Sequence, residues 1–201
     1  MGTPHRMVRF LDSADYTSMP WKNGGGRTTE IAAYPPGAAL DAFAWRVSIA
    51  DVASDGPFSR FPGVERTIVL LDGAGMWLRS RGREKELRTP FEPYRFSGDD
   101  AVDCTLIAGP VRDFNAMFRR GAARGSVAVI RGDPVEIAQG DFVLAYAATG
   151  AHDCVIPGHP ARVLDAGNAV LVERPADGDC APVLFRPSRN AVALVVSVDL
   201  P

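Results

Sequence analysis

The stretch Met19-Pro20-Trp21-Lys22-Asn23-Gly24-Gly25-Gly26 places a large aromatic, one of two lysines, a side-chain amide and three successive glycines within eight residues. Such a loop suits an anion: glycines let backbone N–H groups approach closely, Lys22 adds charge and Trp21 a wall. It reads equally as a flexible connection, since the glycine spacing matches neither the dinucleotide nor the Walker fingerprint. A second segment, Phe58 to Arg66, sets Arg60 and Arg66 beside Phe58 and Phe61. Guanidinium is the side chain best shaped for two-pronged contact with a carboxylate, although a solvated pair is the commoner fate of such arginines. Arg46 stands between Trp45 and Val47 and must either face solvent or meet an anion, because a lone buried guanidinium is costly. Asp113 and Asn115, two residues apart, offer acceptors that would orient an amide or ammonium group, or else satisfy backbone groups at a bulge.

Other reactive side chains carry less. Arg79, Arg81, Arg83, Lys85 and Arg88 alternate with Glu84 and Glu86, the composition of a solvated face around a hairpin tip. The three histidines are His5, His152 and His159, and none is paired at ligand spacing. Cys104, Cys154 and Cys180 are an odd number without CxxC, which gives neither a disulfide framework nor a zinc site and fits reduced thiols. No Ser/His/Asp order or nucleophile elbow appears, so no catalytic residue is assigned.

The elements that would position these groups are strands. Helical periodicity does not persist over any window of eleven residues, whereas short alternating or apolar runs recur every eight to twelve residues between turn signals. The 20 glycines and 16 prolines agree with many tight turns, and the fold class is all-β. Strands are expected over residues 28–33, 45–50, 65–71, 76–80, 102–108, 112–118, 126–131, 141–147, 169–173 and 191–198, with Asp72-Gly73-Ala74-Gly75 as a hairpin loop. Alternation puts Arg46 and Ser48 on the face opposite Trp45, Val47 and Ile49, and Asp113, Asn115 and Met117 opposite Phe114, Ala116 and Phe118. If these strands line one cavity, polar groups converge. Residues 1–201 are expected to form one unit, or two closely packed barrels of about 1–120 and 121–201 joined near the RRGAARG run at 119–125.

With 46% hydrophobic and 23% charged residues the chain can build a packed core. A net charge of −2 argues against nucleic acid as a partner. The first residues lack an apolar export segment and no run of about 18 apolar residues occurs, so a cytoplasmic protein without membrane association is expected.

The blocks MPWKNGGGRTTEI, FAWRVSIADVASDGPFSRFPGVERTIVLLDGAGM and GPVRDFNAMFRRG, all within residues 19–121, resemble the HutD/Ves family. That resemblance implies a cupin or RmlC-like jelly-roll architecture, with room for two barrels in one chain (a bicupin) and for a homodimer. It implies an accessory or regulatory role in histidine utilisation, with binding of formylglutamate or a similar anionic intermediate; other members are described as stress-associated. Carried onto this chain, the ligand-binding positions are Trp21, Lys22, Asn23, Gly24, Arg46, Ser48, Arg60, Phe61, Arg66, Asp113, Asn115 and Met117. Lys22 with the glycine backbone would take one carboxylate, Arg46, Arg60 or Arg66 the other, and Asn115 the formamide. Metal-dependent cupins use a His-x-His pair, which this chain lacks, so no metal or other cofactor is expected. Two alternatives stay open: a metal-independent isomerase or hydrolase acting on a small carboxylate with Lys22 or Asp113 as base, and a protein-interaction module, which would show an exposed apolar patch.

Overall fold

The computed structural model describes residues 7–21, 23–137, 140–174 and 182–201. Among them there is no α-helix, and hence no helix long and apolar enough to cross a membrane. The chain divides into two compact units, one built from residues 16–124 and the other from the first 15 residues together with residues 125–200.

The unit of residues 16–124 consists of two antiparallel sheets. The larger runs in the order β2 (Thr17–Pro20), β3 (Gly26–Tyr34), β4 (Trp45–Val52), β11 (Val111–Arg119), β6 (Val64–Asp72) and β9 (Pro93–Ser97). The smaller runs β5 (Gly56–Pro57), β10 (Asp103–Leu106), β7 (Met76–Ser80) and β8 (Arg83–Leu87). Ile68 and Leu70 of the first pack with Met76, Leu78, Leu87 and Cys104 of the second in one apolar cluster, so the sheets cover each other's inner faces. Burial pushes the Cys104 thiol up to about 12, which keeps it neutral and unreactive there.

The second unit likewise has two sheets. One is ordered β1 (Met7–Leu11), β17 (Ala169–Glu173), β14 (Phe142–Thr149), β19 (Val192–Asp199), β12 (Arg124–Arg131); the other β13 (Val135–Ile137), β18 (Val183–Pro187), β15 (His152–Val155), β16 (Arg162–Leu164). Val143, Ala145, Val170, Val172, Ala193 and Val195 meet Cys154, Val183 and Phe185 between them. The strand β1 pairs with β17 over Met7↔Glu173 to Leu11↔Ala169, so the start of the chain belongs with its end; a boundary placed only near residue 120 leaves this exchange out.

Each expected strand overlaps an observed one. The expected hairpin at Asp72 to Gly75 is corrected. β6 pairs with β11 and β9, whereas β7 pairs with β8 and β10, so these residues form a corner by which the chain passes from one sheet to the other. The corner needs its glycine: Gly73 has φ +100°, and a Cβ there would lie 2.6 Å from the Pro110 carbonyl oxygen. Charged residues 79–88 do flank a hairpin tip, with Arg79 paired to Glu84, Lys85 to Glu92 and Arg88 to Glu86.

Candidate ligand-binding site

Seven polar or charged residues are buried among those described, and six of them lie in the unit of residues 16–124. Five of these six, Arg46, Ser48, Arg66, Asp113 and Asn115, share one face of the larger sheet. The register makes this so. Met117 stands opposite Arg46 on β4 and opposite Arg66 on β6; Asn115 opposite Ser48 and Ile68; Asp113 opposite Ala50 and Leu70. On the flanks Thr28 pairs with Ala50, Glu30 with Ser48, and Phe96 with Arg66. Directly opposed residues point to the same face, so the sheet presents three rows. The first holds Phe96, Arg66, Met117 and Arg46, the second Tyr94, Ile68, Asn115, Ser48 and Glu30, the third Leu70, Asp113, Ala50 and Thr28. Period-two alternation on two central strands therefore delivers guanidinium, amide and carboxyl groups to one surface.

Over that surface lies a cavity of about 590 Å³, lined in part by Trp21, Asn23, Phe58, Arg66, Asp113 and Asn115. Arg46, Phe61 and Met117 complete the sequence-derived residues that line it. Ser48 is buried beside it and accepts a 3.3 Å hydrogen bond from Arg46 Nη1, acting on the cavity through that arginine. Arg60 differs from expectation: it is exposed, and its Nε and Nη2 donate to the Asp99 carbonyl oxygen at 3.2 and 2.8 Å, because it sits in the loop before β6 and turns outward. Lys22 lies outside the described residues, as do His5 and Cys180.

The glycine run is also reinterpreted. It closes the β2–β3 connection: Gly24 N donates to the Trp21 carbonyl, Trp21 N to the Gly26 carbonyl, and Gly25 N to Asn23 Oδ1 at 3.0 Å. With the Gly24 and Gly25 N–H groups already bonded inside the turn, they form no anion cradle, and Gly24 is not part of the cavity wall. What the run does is seat Trp21, whose indole Nε1 donates to Thr28 Oγ1 at 2.7 Å and whose ring meets Phe58 edge-on at 6.3 Å. A Cβ on Gly26 would fall 2.4 Å from the Asp51 carbonyl oxygen and 3.1 Å from the Trp21 ring. Gly26→Ala is accordingly expected to lower stability by about 1–3 kcal/mol, as overpacking does, and to shift Trp21 fluorescence; an unchanged melting temperature and spectrum would contradict this placement.

Several lining residues carry little signal in the sequence. Thr28 and Ala50 follow from extending the alternation of β3 and β4. Leu40, from the loop between those strands, and Met19 and Pro20 on an edge strand have no periodicity that marks them. Phe58 and Ser59 belong to the segment that carries Arg66.

Arg46 is only 3% exposed and its Nε donates to Glu30 Oε2 at 2.7 Å, which neutralises it in place. Arg66 has no such partner. Its Nη1 reaches the Ser59 carbonyl at 3.3 Å, its Nε has no hydrogen-bond acceptor among the described residues, and the rings of Phe58, Phe61 and Phe96 surround the guanidinium at 5.6, 5.4 and 4.9 Å. Burial lowers its pKa to about 10, so it remains charged at neutral pH. Asp113, flanked by Leu70 and Ala50, is pushed up to about 7 by burial, with the charge of Arg66 pulling it back and Asp51 adding to the rise. Asp113 Oδ2 and Asn115 Oδ1 have no hydrogen-bond partner among the described residues. Buried polar atoms left unmet at a cavity mark a place that a ligand or water completes.

As for a metal, the cavity's donor set does not suit one: two guanidiniums line it, and no three His, Cys, Asp or Glu side chains are grouped as ligands among the described residues. In the other unit His152 is buried, its Nε2 3.0 Å from the Thr149 carbonyl, in an apolar interior.

Paired antiparallel sheets with buried polar side chains gathered at a cavity are the arrangement of a cupin-type β protein, and likeness to a cupin 2 conserved barrel domain protein from Leptotrichia buccalis agrees in fold (TM-score 0.56, 11% identity, 92% of this chain and 89% of that one). A sequence model of the HutD family matches residues 13–184, and the chain belongs to that family. It is 36% identical over 166 residues to an uncharacterised 21.2 kDa protein in the hutC 3′ region of Pseudomonas putida, covering 83% of this chain and 87% of that protein. Among solved structures it resembles a conserved protein of unknown function from Pseudomonas aeruginosa PAO1 (TM-score 0.87, 35% identity, 96% and 99% of the two chains). It also resembles HutD from Pseudomonas fluorescens SBW25 (TM-score 0.80, 30% identity, 97% and 100%).

Proposed function

We propose that the protein binds a small anionic metabolite in the cavity of residues 16–124, as an accessory or regulatory component of histidine utilisation, with N-formylglutamate or a similar anionic intermediate as the ligand. The observation that carries this is the buried Arg66, a charged guanidinium with an unmet N–H, walled by three aromatic rings and open to the cavity. Charge-assisted hydrogen bonds to such a group are among the stronger polar contacts available. Arg46 and Arg66 stand in one row with Met117 between them, about 10 Å apart at the backbone, while the acceptors of Asn115 and Asp113 occupy the next rows at steps of about 7 Å. That layout suits a short dicarboxylate bearing a polar nitrogen. The hutC neighbourhood of the Pseudomonas putida relative supports the metabolic setting.

A second reading, turnover without a metal, is favoured by one observation: Asp113, buried at the cavity with its pKa pushed up to about 7, has the value a general base needs. Calorimetric titration with N-formyl-L-glutamate, followed by mass spectrometry of the same mixture, separates the two. Saturable one-to-one binding with intact ligand is the expected result; formate and glutamate as products would favour the enzyme, and no heat at millimolar ligand would end the binding proposal.

A further inference from the structure

We propose that Asp113 is the residue by which the cavity tells an acylated ligand nitrogen from a free ammonium group. This rests on the anion-binding reading above and specifies what lies at the other end of the ligand.

Asp113 and Asn115 are successive inward positions on β11, both buried, and each keeps one oxygen without a hydrogen-bond partner among the described residues. The amide oxygen of Asn115 can only accept. Asp113 accepts when ionised and donates one O–H when protonated, so the demand it places on a ligand changes with its charge. Its cross-strand neighbours, Leu70 on β6 and Ala50 on β4, offer it nothing polar. The charged groups bearing on it are Arg66 on β6 and Asp51 on β4, while Arg46 of β4, held by Glu30 of β3, stands on the same face and bears on Arg66. From the facing sheet comes Cys104, a neutral thiol on β10, which also feels Asp55.

Charge counting then decides what fits. With Asp113 ionised, Arg46 and Arg66 balance Glu30 and Asp113 among the described residues. A zwitterion suits that state: its carboxylate meets Arg66 while its ammonium donates to Asp113 Oδ2 and Asn115 Oδ1. An N-acylated dianion does not, because it has no positive charge to set against the carboxylate of Asp113. With Asp113 protonated these four groups carry one net positive charge. The acyl oxygen then accepts the Asp113 O–H and the amide N–H donates to Asn115, while an ammonium loses its counter-charge. Burial places this change of state within the neutral range.

The matched probes are L-glutamate and N-formyl-L-glutamate, neither of which changes its own charge appreciably between pH 6 and pH 8. Calorimetry on the wild-type chain is expected to give affinity for L-glutamate that rises about tenfold from pH 6 to pH 8 and affinity for N-formyl-L-glutamate that falls about tenfold, one proton being linked to each event. Asp113→Asn, neutral at both pH values, is expected to abolish both slopes and to prefer the formylated probe at least tenfold throughout. Parallel pH responses of the two probes in the wild type, or opposed slopes persisting in the variant, would overturn the role of Asp113 while leaving anion binding intact. Absence of binding by either probe at either pH would overturn both.

Discussion

Replacing Arg66 by methionine is expected to lower affinity for the proposed ligand, N-formyl-L-glutamate, at least thirtyfold while the chain stays folded. The size follows from where the guanidinium sits. It is buried and keeps an unmet N–H, and truncating one member of a buried charged contact costs about 2–5 kcal/mol, or roughly thirtyfold to several thousandfold in affinity. Methionine is the chosen replacement because a thioether packs well against Phe58, Phe61 and Phe96, the rings that now surround the guanidinium. Arg66→Lys is expected to recover little, since an ammonium lacks the planar fork and the stacking surface. Arg46→Met should cost less than Arg66→Met, because Arg46 is already engaged by Glu30 and Ser48. Titration calorimetry beside a thermal melt checks all three; an Arg66→Met protein that melts normally and binds within threefold of wild type would remove this side chain as the anchor.

Much of that site can be read from the amino-acid sequence because it lies on central strands. Alternation over Trp45 to Ala50 and Asp113 to Phe118 sets Arg46, Ser48, Asp113 and Asn115 on the face opposite Trp45, Val47, Ile49, Phe114, Ala116 and Phe118, with Ala50 and Met117 the apolar members of the polar face, and the antiparallel register then brings Arg46 opposite Met117 and Ser48 opposite Asn115. Loops give no such rule. Arg60 and Arg66 belong to one short segment, yet the first precedes the Gly63 turn and clamps the Asp99 carbonyl outside, while the second is three residues into a strand and points inward. Identical chemistry six residues apart thus has opposite fates, and only the strand phase tells them apart.

The fold was legible in class and in its central strands, and less so at its edges. β2 ends in Pro20, β9 begins at Pro93 and β8 reads Arg-Glu-Lys-Glu-Leu, sequences that look like loops or solvated faces. Edge strands tolerate proline and charge because one side of their backbone needs no partner, so their composition hides them. The pairing of β1 with β17 joins residues more than 150 positions apart and has no local signature at all. The corner at Asp72 to Gly75 misleads for a related reason: glycines signal a reversal of the chain but not whether the next strand joins the same sheet.

The same burial that fits Asp113 to a ligand makes it a liability in the empty protein, and its removal is expected to stabilise the chain at alkaline pH. In the unfolded chain this carboxyl titrates at its ordinary value of 3.8, and in the folded one at about 7. Between those values the folded state holds the proton more tightly than the unfolded state does, so stability is greatest below about pH 4, declines as the pH rises, and levels off above about pH 7. A shift of about three units corresponds to roughly 4 kcal/mol across the window, an upper value for a group that can relax or admit water. Asp113→Asn is nearly isosteric and cannot ionise, so it lacks this decline. Urea melts of wild type and variant at pH 5, 6, 7 and 8 are expected to lie closest at pH 5 and to separate progressively, with Asp113→Asn the more stable by several kcal/mol at pH 8. Curves that stay parallel over that range would mean that Asp113 is ionised well below neutrality. The desolvation that links this residue both to stability and to ligand choice would then be absent.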